Sequence, residues 1–278
     1  MISPEAVKFF LTLLRKESGL ALDESKKYLL ETRLDPLAAQ QGYSSIDDLH
    51  MALKSTNNML LRQEVVDAMT TNETSFFRDR KPFDIFRDEV VPELIKRNAA
   101  SRQIRIWCAA CSTGQEPYSL AMELSSIREK NPGWKISILG TDITEAVLKK
   151  AREGIYSQHD VQRGLPTAYL IRFFKQSGMN WVVNPDLKRM VEFKRLNLLS
   201  NFTWMGKFDV VFCRNILIYF DPPTKKAVIE RIGGLLPPHG VLFLGGSETL
   251  LGIDSIFTRA GGIAGKYYSK KEAPATVR

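Results

Sequence analysis

The residues best suited to chemistry lie in one stretch, Arg105-Ile-Trp-Cys-Ala-Ala-Cys-Ser-Thr-Gly-Gln-Glu-Pro-Tyr-Ser-Leu-Ala-Met-Glu-Leu124. Ile104, Ile106 and Trp107 lead into small residues from Cys108 to Cys111, the pattern of a buried strand. Ser112-Thr113-Gly114 turns the chain, and a helix follows with Pro117 in its first turn, where a missing N–H costs nothing. Leu120, Ala121 and Leu124 recur at helical spacing as its apolar face. A strand, a tight turn and a helix form the first half of a βαβ nucleotide-binding unit, which presents backbone N–H groups and a helix N-terminus to a ligand.

The turn is not the dinucleotide fingerprint: it holds one glycine, Gly114, and a carboxylate, Glu116. An acid there repels phosphate and attracts a cation. S-adenosylmethionine (AdoMet) carries an ammonium and a sulfonium, and fits. The plainer alternative is that Glu116 only favours the helix dipole. Asp142, at the end of the apolar run Lys135–Asp142, stands where ribose hydroxyls are held in such units, or else caps the helix after it.

Other elements must position these groups. Residues 3–70 read as helices: Ser3 caps, Pro4 opens the first, Gly19 ends it and Asp23 caps the second. Val7, Phe10, Leu11 and Leu14 form the first apolar stripe, and Tyr28, Leu29, Leu30, Leu34 and Leu37 the second, with a kink expected at Pro36. Shorter helices are expected near 45–54 and 58–69. The polar join 70–79 contains Phe76 and Phe77, which should pack it down. A long helix is expected over 82–98. Residues 153–190 interrupt the βαβ rhythm. An amphipathic helix near 166–176 and a hairpin turning at Pro185-Asp186, with Asn180–Asn184 and Arg189–Phe193 as strands, make this a small antiparallel insert. Val191–Leu196 re-enters the main sheet, Phe208–Cys213 is a central strand, and Gly240–Gly246 and Lys266–Lys270 supply later ones. The expected organisation is a helical domain over 1–72, an α/β domain over 73–270 with the insert at 153–190, and a disordered tail over 271–278.

Composition bounds the possibilities. The 278 residues suffice for one large domain or two, and 44% hydrophobic with 25% charged residues is ordinary for a globular protein. No apolar run reaches a membrane span, and the first residues lack the pattern of a secretory signal. Three cysteines make a disulfide framework unexpected and a reducing cytoplasm the default. Cys108 and Cys111 have C-x-x-C spacing without a second pair for zinc, and His50, His159 and His239 join no triad. The net charge of +8 is uneven: residues 1–75 carry 8 Lys/Arg and 11 Asp/Glu, leaving +11 on the rest. A basic α/β part suits nucleic acid, an acidic protein surface, or no partner at all.

Four segments of the sequence resemble the signatures of CheR, the bacterial chemotaxis receptor methyltransferase family. They are Asn72-Glu-Thr-Ser-Phe-Phe-Arg-Asp79, Cys111-Ser-Thr-Gly-Gln-Glu-Pro-Tyr-Ser119, Thr141-Asp-Ile143 and Cys213-Arg-Asn-Ile-Leu-Ile-Tyr-Phe-Asp221. The likeness covers nearly the whole chain; Gln115 stands where many members have an acid. It implies a Rossmann-like AdoMet-dependent methyltransferase sheet with a small antiparallel insert, preceded by an all-helical domain. It implies transfer of methyl from AdoMet to receptor glutamates, leaving methyl esters and S-adenosylhomocysteine (AdoHcy), by a cytoplasmic monomer without metal. Asn72, Thr74, Arg78, Glu116, Asp142, Asn197, Leu198, Arg214 and Asn215 would bind AdoMet, and Arg78 and Tyr219 would stand nearest the transferred methyl. The helical domain would face the receptor's helical bundle; from their spacing, Lys26, Lys27 and Arg33 can share one flank of the second helix and are the candidates for its basic contacts. In some members the insert holds a receptor C-terminal peptide.

The chemistry agrees with these residue types. A sulfonium is a good leaving group and a glutamate is ionised near pH 7, so alignment and desolvation suffice without a strong base. Arg78 can pair a carboxylate bidentately and Tyr219 can orient an oxygen. Two competing readings are a nucleic-acid methyltransferase, disfavoured because no N-P-P-Y type motif occurs, and a non-catalytic AdoMet-binding scaffold.

Overall fold

The computed structural model describes residues 2–56, 58–253, 256–261 and 267–271. The tail expected over 271–278 and the start of the last strand at Lys266 lie, but for Lys271, outside these residues. The chain divides into two units, Met1–Thr71 with Tyr219–Lys225, and Asn72–Ile218 with Lys226–Arg278.

The smaller unit is helical. The helices are α1 (Pro4–Ser18), α2 (Lys27–Gln40), α3 (Ile46–Ser55) and α4 (Met59–Met69); α1, α3 and α4 start where side chains accept the orphan N–H groups of a first turn, whereas Asp23 caps a short 3-10 turn, Glu24–Lys26, that leads into α2. Ser3 accepts from Ala6, Ser45 from Asp48, and Asn58 from Leu61. Gly19 ends α1 in the left-handed region, its N–H donating to the Arg15 carbonyl. Phe10, Leu14, Leu30, Leu34, Leu49, Leu53 and Val65 fill the core. His50 is buried there, its ring 4.7 Å from that of Phe9.

Three expectations need correction in this unit. Leu13, not Leu11, completes the α1 stripe. Tyr28 is 57% exposed and lies off the buried face of α2, whose helix continues through Pro36 to Gln40. Arg33 is half-buried and bonded within the unit: its guanidinium donates to the Met69 and Thr70 carbonyls at 2.7 and 3.1 Å and to Thr71 Oγ1 at 3.1 Å. It therefore closes the C-terminus of α4, where carbonyls lack helical partners.

The larger unit begins with α5 (Lys81–Ile85), a π-helical turn (Phe86–Val90) and α6 (Val91–Arg97). They occupy the span expected for one helix; the π turn is the local irregularity. Next come β1 (Gln103–Ala109), α7 (Gln115–Lys130), β2 (Lys135–Asp142) and α8 (Glu145–Glu153). The insert follows with β3 (Ile155–Ser157), α9 (Gln158–Gln162), α10 (Thr167–Phe173), β4 (Phe174–Ser177), β5 (Asn180–Val183) and α11 (Pro185–Lys188). The main sheet resumes with β6 (Val191–Arg195) and β7 (Val210–Cys213), then α12 (Pro222–Leu235), β8 (Val241–Leu244), β9 (Phe257–Ala260) and β10 (Tyr267–Lys270).

The seven-stranded sheet runs β6-β2-β1-β7-β8-β10-β9. Its first five strands are parallel and β10 pairs antiparallel with both neighbours. Strands β7 and β8 are buried along their whole length, so they read as unbroken apolar runs. Phe212 and Phe243 stack at 4.5 Å between them, with Phe86 edge-on to both. Order reverses between β1 and β7, which places a crevice at the carboxyl ends of those strands.

The insert differs from its expected layout. Pro185–Lys188 forms a helical turn rather than a hairpin turn, and Val191–Arg195 belongs only to the main sheet. The hairpin is β4–β5, turning at Gly178 with φ +59°, and β3 adds a third strand to β5. A proline at the first helical position starts a helix as readily as it makes a turn, and the sequence around Pro185 does not separate the two. Strand β9 was not expected.

Candidate active site

The loop after β1 carries the first candidates. Ala110, Ser112 and Gly114 all have positive φ, at 59°, 50° and 91°. For alanine and serine this backbone is costly and must be held. Three restraints hold it. The Cys111 N–H donates to the Thr141 carbonyl at 2.9 Å, the Ser112 N–H to Asp142 Oδ2 at 2.8 Å, and the Tyr156 hydroxyl to the Thr113 carbonyl at 2.7 Å. Gly114 has no room for a side chain: a Cβ would sit 2.8 Å from that of Ala151. Loop, end of β2 and insert are thus one unit of structure.

Asp142 is buried, and its other oxygen accepts the Thr144 N–H at 3.1 Å. The carboxylate ties β1's loop to the start of α8, so it carries part of the capping alternative; Thr144 itself stands at the N-cap. Leu196 N–H donates to the Asp142 carbonyl at 2.8 Å, which brings Asn197 and Leu198 beside the end of β2. Asn197 Oδ1 accepts the Leu199 N–H at 2.9 Å and the Leu198 carbonyl accepts from Arg231 at 2.8 Å.

The join reaches the same loop. Ser112 Oγ donates to the Asn72 carbonyl at 2.7 Å, and the Phe77 N–H donates to the buried Ser119 hydroxyl at 3.0 Å. Phe76 and Phe77 are buried as expected, packing on Tyr156 and Phe83 at 5.0 and 5.2 Å. Thr74 is half-buried between them and Asn72. Phe77, Asp79 and Arg80 all take positive φ. Arg78 is half-buried and one of its guanidinium nitrogens donates to the Glu73 carbonyl at 2.9 Å.

Two expected cofactor residues are partners of each other. Arg214, 5% exposed at the end of β7, donates to Glu116 Oε2 at 2.8 Å, to the Arg78 carbonyl at 2.9 Å and to Asp79 Oδ2 at 2.7 Å. Its guanidinium lies 5.6 Å from the Phe83 ring centre, and its Nε is buried without a protein partner among the described residues. Burial pushes the Glu116 carboxyl above its ordinary value, and the neighbouring Arg214 charge pulls it back. Cys108, Cys111 and Cys213 are buried, which pushes all three thiols up and leaves them inert. No cluster of His, Cys, Asp and Glu suited to a metal occurs among the described residues.

Two family models match this chain, "CheR methyltransferase, all-alpha domain" over residues 5–70 and "CheR methyltransferase, SAM binding domain" over 72–264. The chain belongs to the CheR methyltransferase family. It is 44% identical over 247 residues to chemotaxis protein methyltransferase 1 of Pseudomonas aeruginosa, covering 87% of this chain and 89% of that one. It is 41% identical over 259 residues to chemotaxis protein methyltransferase 1 of Vibrio cholerae, covering 92% and 93%. The Escherichia coli chemotaxis protein methyltransferase is 34% identical over 254 residues, covering 90% and 86%. The larger unit is therefore the AdoMet-binding domain of a chemotaxis methyltransferase, and the expected fold class and cofactor hold.

The site suits that cofactor on its own evidence. Asp142 stands at the end of β2 as an acceptor of the kind that ribose hydroxyls need, and the buried Nε–H of Arg214 is a donor that a carboxylate satisfies.

The larger unit thus brings together Asn72, Arg78, Glu116, Asp142, Asn197, Leu198, Arg214 and Asn215 through direct bonds or chain adjacency. Tyr219 falls in the segment grouped with the helical unit. It is half-buried there, and its carbonyl accepts the Ala21 N–H at 2.9 Å.

The sequence reading missed Glu248 and Asp79. Glu248 follows the glycine pair at the end of β8. The signal that found Asp142, an acid at the end of an apolar strand, was present there too. Among the described residues no helix is long and apolar enough to cross a membrane.

Proposed function

We propose that this protein transfers the methyl group of AdoMet to glutamate side chains of chemotaxis receptors, producing glutamate methyl esters and AdoHcy in the cytoplasm. The observation that carries the reading is the convergence of segments 72–79, 111–116, 142 and 214–215 at one end of the sheet. AdoMet supplies an activated methyl on a good leaving group. In this reading Asp142 holds the ribose hydroxyls, and the Glu116–Arg214 pair together with Asn72, Thr74, Asn197, Leu198 and Asn215 lines the remaining cofactor surface.

Arg78 pairs a carboxylate with its guanidinium, and the Tyr219 hydroxyl orients the reacting oxygen. No general base is assigned, because the acceptor carboxylate is ionised near pH 7. The protein's contribution is alignment and exclusion of water. Receptor cytoplasmic helices are the proposed partner, and the edge of the β3-β5-β4 sheet is the proposed seat for a receptor C-terminal peptide, by strand addition.

Transfer of labelled methyl from AdoMet to receptor cytoplasmic domains, with and without their C-terminal tails, tests the reading. The expected product loses its label as a volatile species in mild base, as an ester does. Base-stable label on protein, or label on nucleic acid, refutes it; the basic larger unit makes nucleic acid the control to include.

A further inference from the structure

The loop that leaves β7 is held by a side chain from the loop that leaves β8. Glu248 Oε2 accepts the N–H groups of Asn215 and Gly245, each at 2.7 Å. Its Oε1 accepts those of Leu217 at 2.7 Å and Ile218 at 3.3 Å. An ionised carboxylate has about four acceptor positions and no donor. Four converging N–H groups therefore fill it. Three of them, those of Asn215, Leu217 and Ile218, are donors that a chain leaves unpaired when it turns from a strand into a short helical turn.

The backbone at this loop explains why it needs such a hub. Asn215 has φ +58°, a conformation a residue with a side chain keeps only when held. Gly245 gives the space: a Cβ there would lie 2.7 Å from Asn215 Nδ2, 2.7 Å from Glu248 Oε2 and 2.9 Å from the Asn215 N. Gly245, Glu248 and Asn215 thus form one interlock between the ends of β7 and β8. Residue 214, one step earlier, carries the guanidinium that meets Glu116.

We propose that Glu248 is a positioning residue for cofactor binding, fixing the 214–218 loop through four backbone hydrogen bonds without touching AdoMet itself. The inference rests on the reading that Arg214 and Asn215 contact AdoMet, and is independent of which molecule accepts the methyl.

Glu248→Gln is the diagnostic change. It keeps the shape but places an NH2 group against at least one pair of N–H donors, whichever way the amide turns. AdoHcy affinity of the full chain is measured by calorimetry, well below each variant's thermal midpoint. Glu248→Gln is expected to weaken AdoHcy about tenfold or more and to raise KM for AdoMet more than it lowers kcat. Glu248→Asp, which keeps the acceptor charge, recovers part of the loss. A folded Glu248→Gln protein that binds AdoHcy within about twofold of wild type overturns the proposal. If Glu248→Gln does not fold, Gly245→Ala and Glu248→Asp decide: weakened AdoHcy binding in both supports it, and wild-type binding in both overturns it. Asn215→Ala separates the two layers. Wild-type affinity there removes the cofactor reading of the loop and the proposal with it, whereas weakened affinity beside an unaffected Glu248→Gln removes the proposal alone.

Discussion

Replacing Arg214 by Met should destabilise the protein by an amount that depends on pH. The Arg214 side chain is 2% exposed and Glu116's is 12% exposed, so their 2.8 Å contact is shielded from water. Methionine fills much of the volume but leaves Glu116 as an unpaired buried charge, which costs about 3–5 kcal/mol. The Arg78 carbonyl loses one bond, about 1 kcal/mol. Asp79 is 49% exposed, and water re-solvates it at little cost. The sum is about 4–6 kcal/mol; at about 2–4 °C per kcal/mol for a chain of this size, the thermal midpoint should fall by roughly 8–24 °C.

The pH dependence follows from Glu116. Burial raises its carboxyl and Arg214 lowers it, so without Arg214 only the upward push remains. A folded carboxyl above its unfolded value of about 4.3 binds more protons in the native state between the two values, and stability falls as pH rises through that window. The penalty should therefore be smallest near about pH 4, below the unfolded value, and larger near about pH 7. Urea unfolding of wild type, Arg214→Met, Glu116→Gln and the double variant at both pH values measures it. The double variant should recover part of the loss, with a coupling of about 2 kcal/mol. A cost under about 1 kcal/mol, or one that does not grow with pH, would show that the pair is solvated and the reasoning wrong.

Asp142→Ala should weaken AdoMet binding about ten- to hundredfold, from loss of charge-assisted bonds worth about 1.5–3 kcal/mol; calorimetry with unchanged affinity in a folded variant would remove Asp142 from the site. Tyr219→Phe should lower turnover on receptor more than AdoHcy binding, and wild-type turnover would make Tyr219 a packing aromatic. Gly114→Ala should cost about 1–3 kcal/mol, because its φ is +91° and its Cβ would press on Ala151; a wild-type thermal midpoint would contradict the tightness of that turn. Reversing Lys26 and Lys27 to Glu should raise the apparent KM for receptor at low salt and spare AdoMet affinity, with the effect fading as salt rises. Equal rates across the salt series would place receptor docking elsewhere.

Much of the fold was legible because its signals are local. The strand, turn and helix from Gln103 to Lys130 announce themselves by period, by Gly114 and by Pro117. The helical cap Ser3 acts within a few residues of itself. Asp142 was found because it ends a strand. Local signals failed where two local structures share one composition. Pro185-Asp186 suits a hairpin turn or a helix start, and the pairing of β4 with β5 decides between them. Strand β9 is four residues long and, among the described residues, pairs only with β10, too short a run to show a period. The sequence supplied Glu116 and Arg214 as separate candidates; only the tertiary structure made them an ion pair, 98 positions apart. It likewise tied Arg33 to the end of α4 and gathered four backbone N–H groups on Glu248, as many as 33 positions away. Propensity and capping are energies between neighbours in sequence, so a sequence displays them. A buried carboxylate's partner is set by distance and dielectric in the folded chain, and only the packing of the strands supplies those.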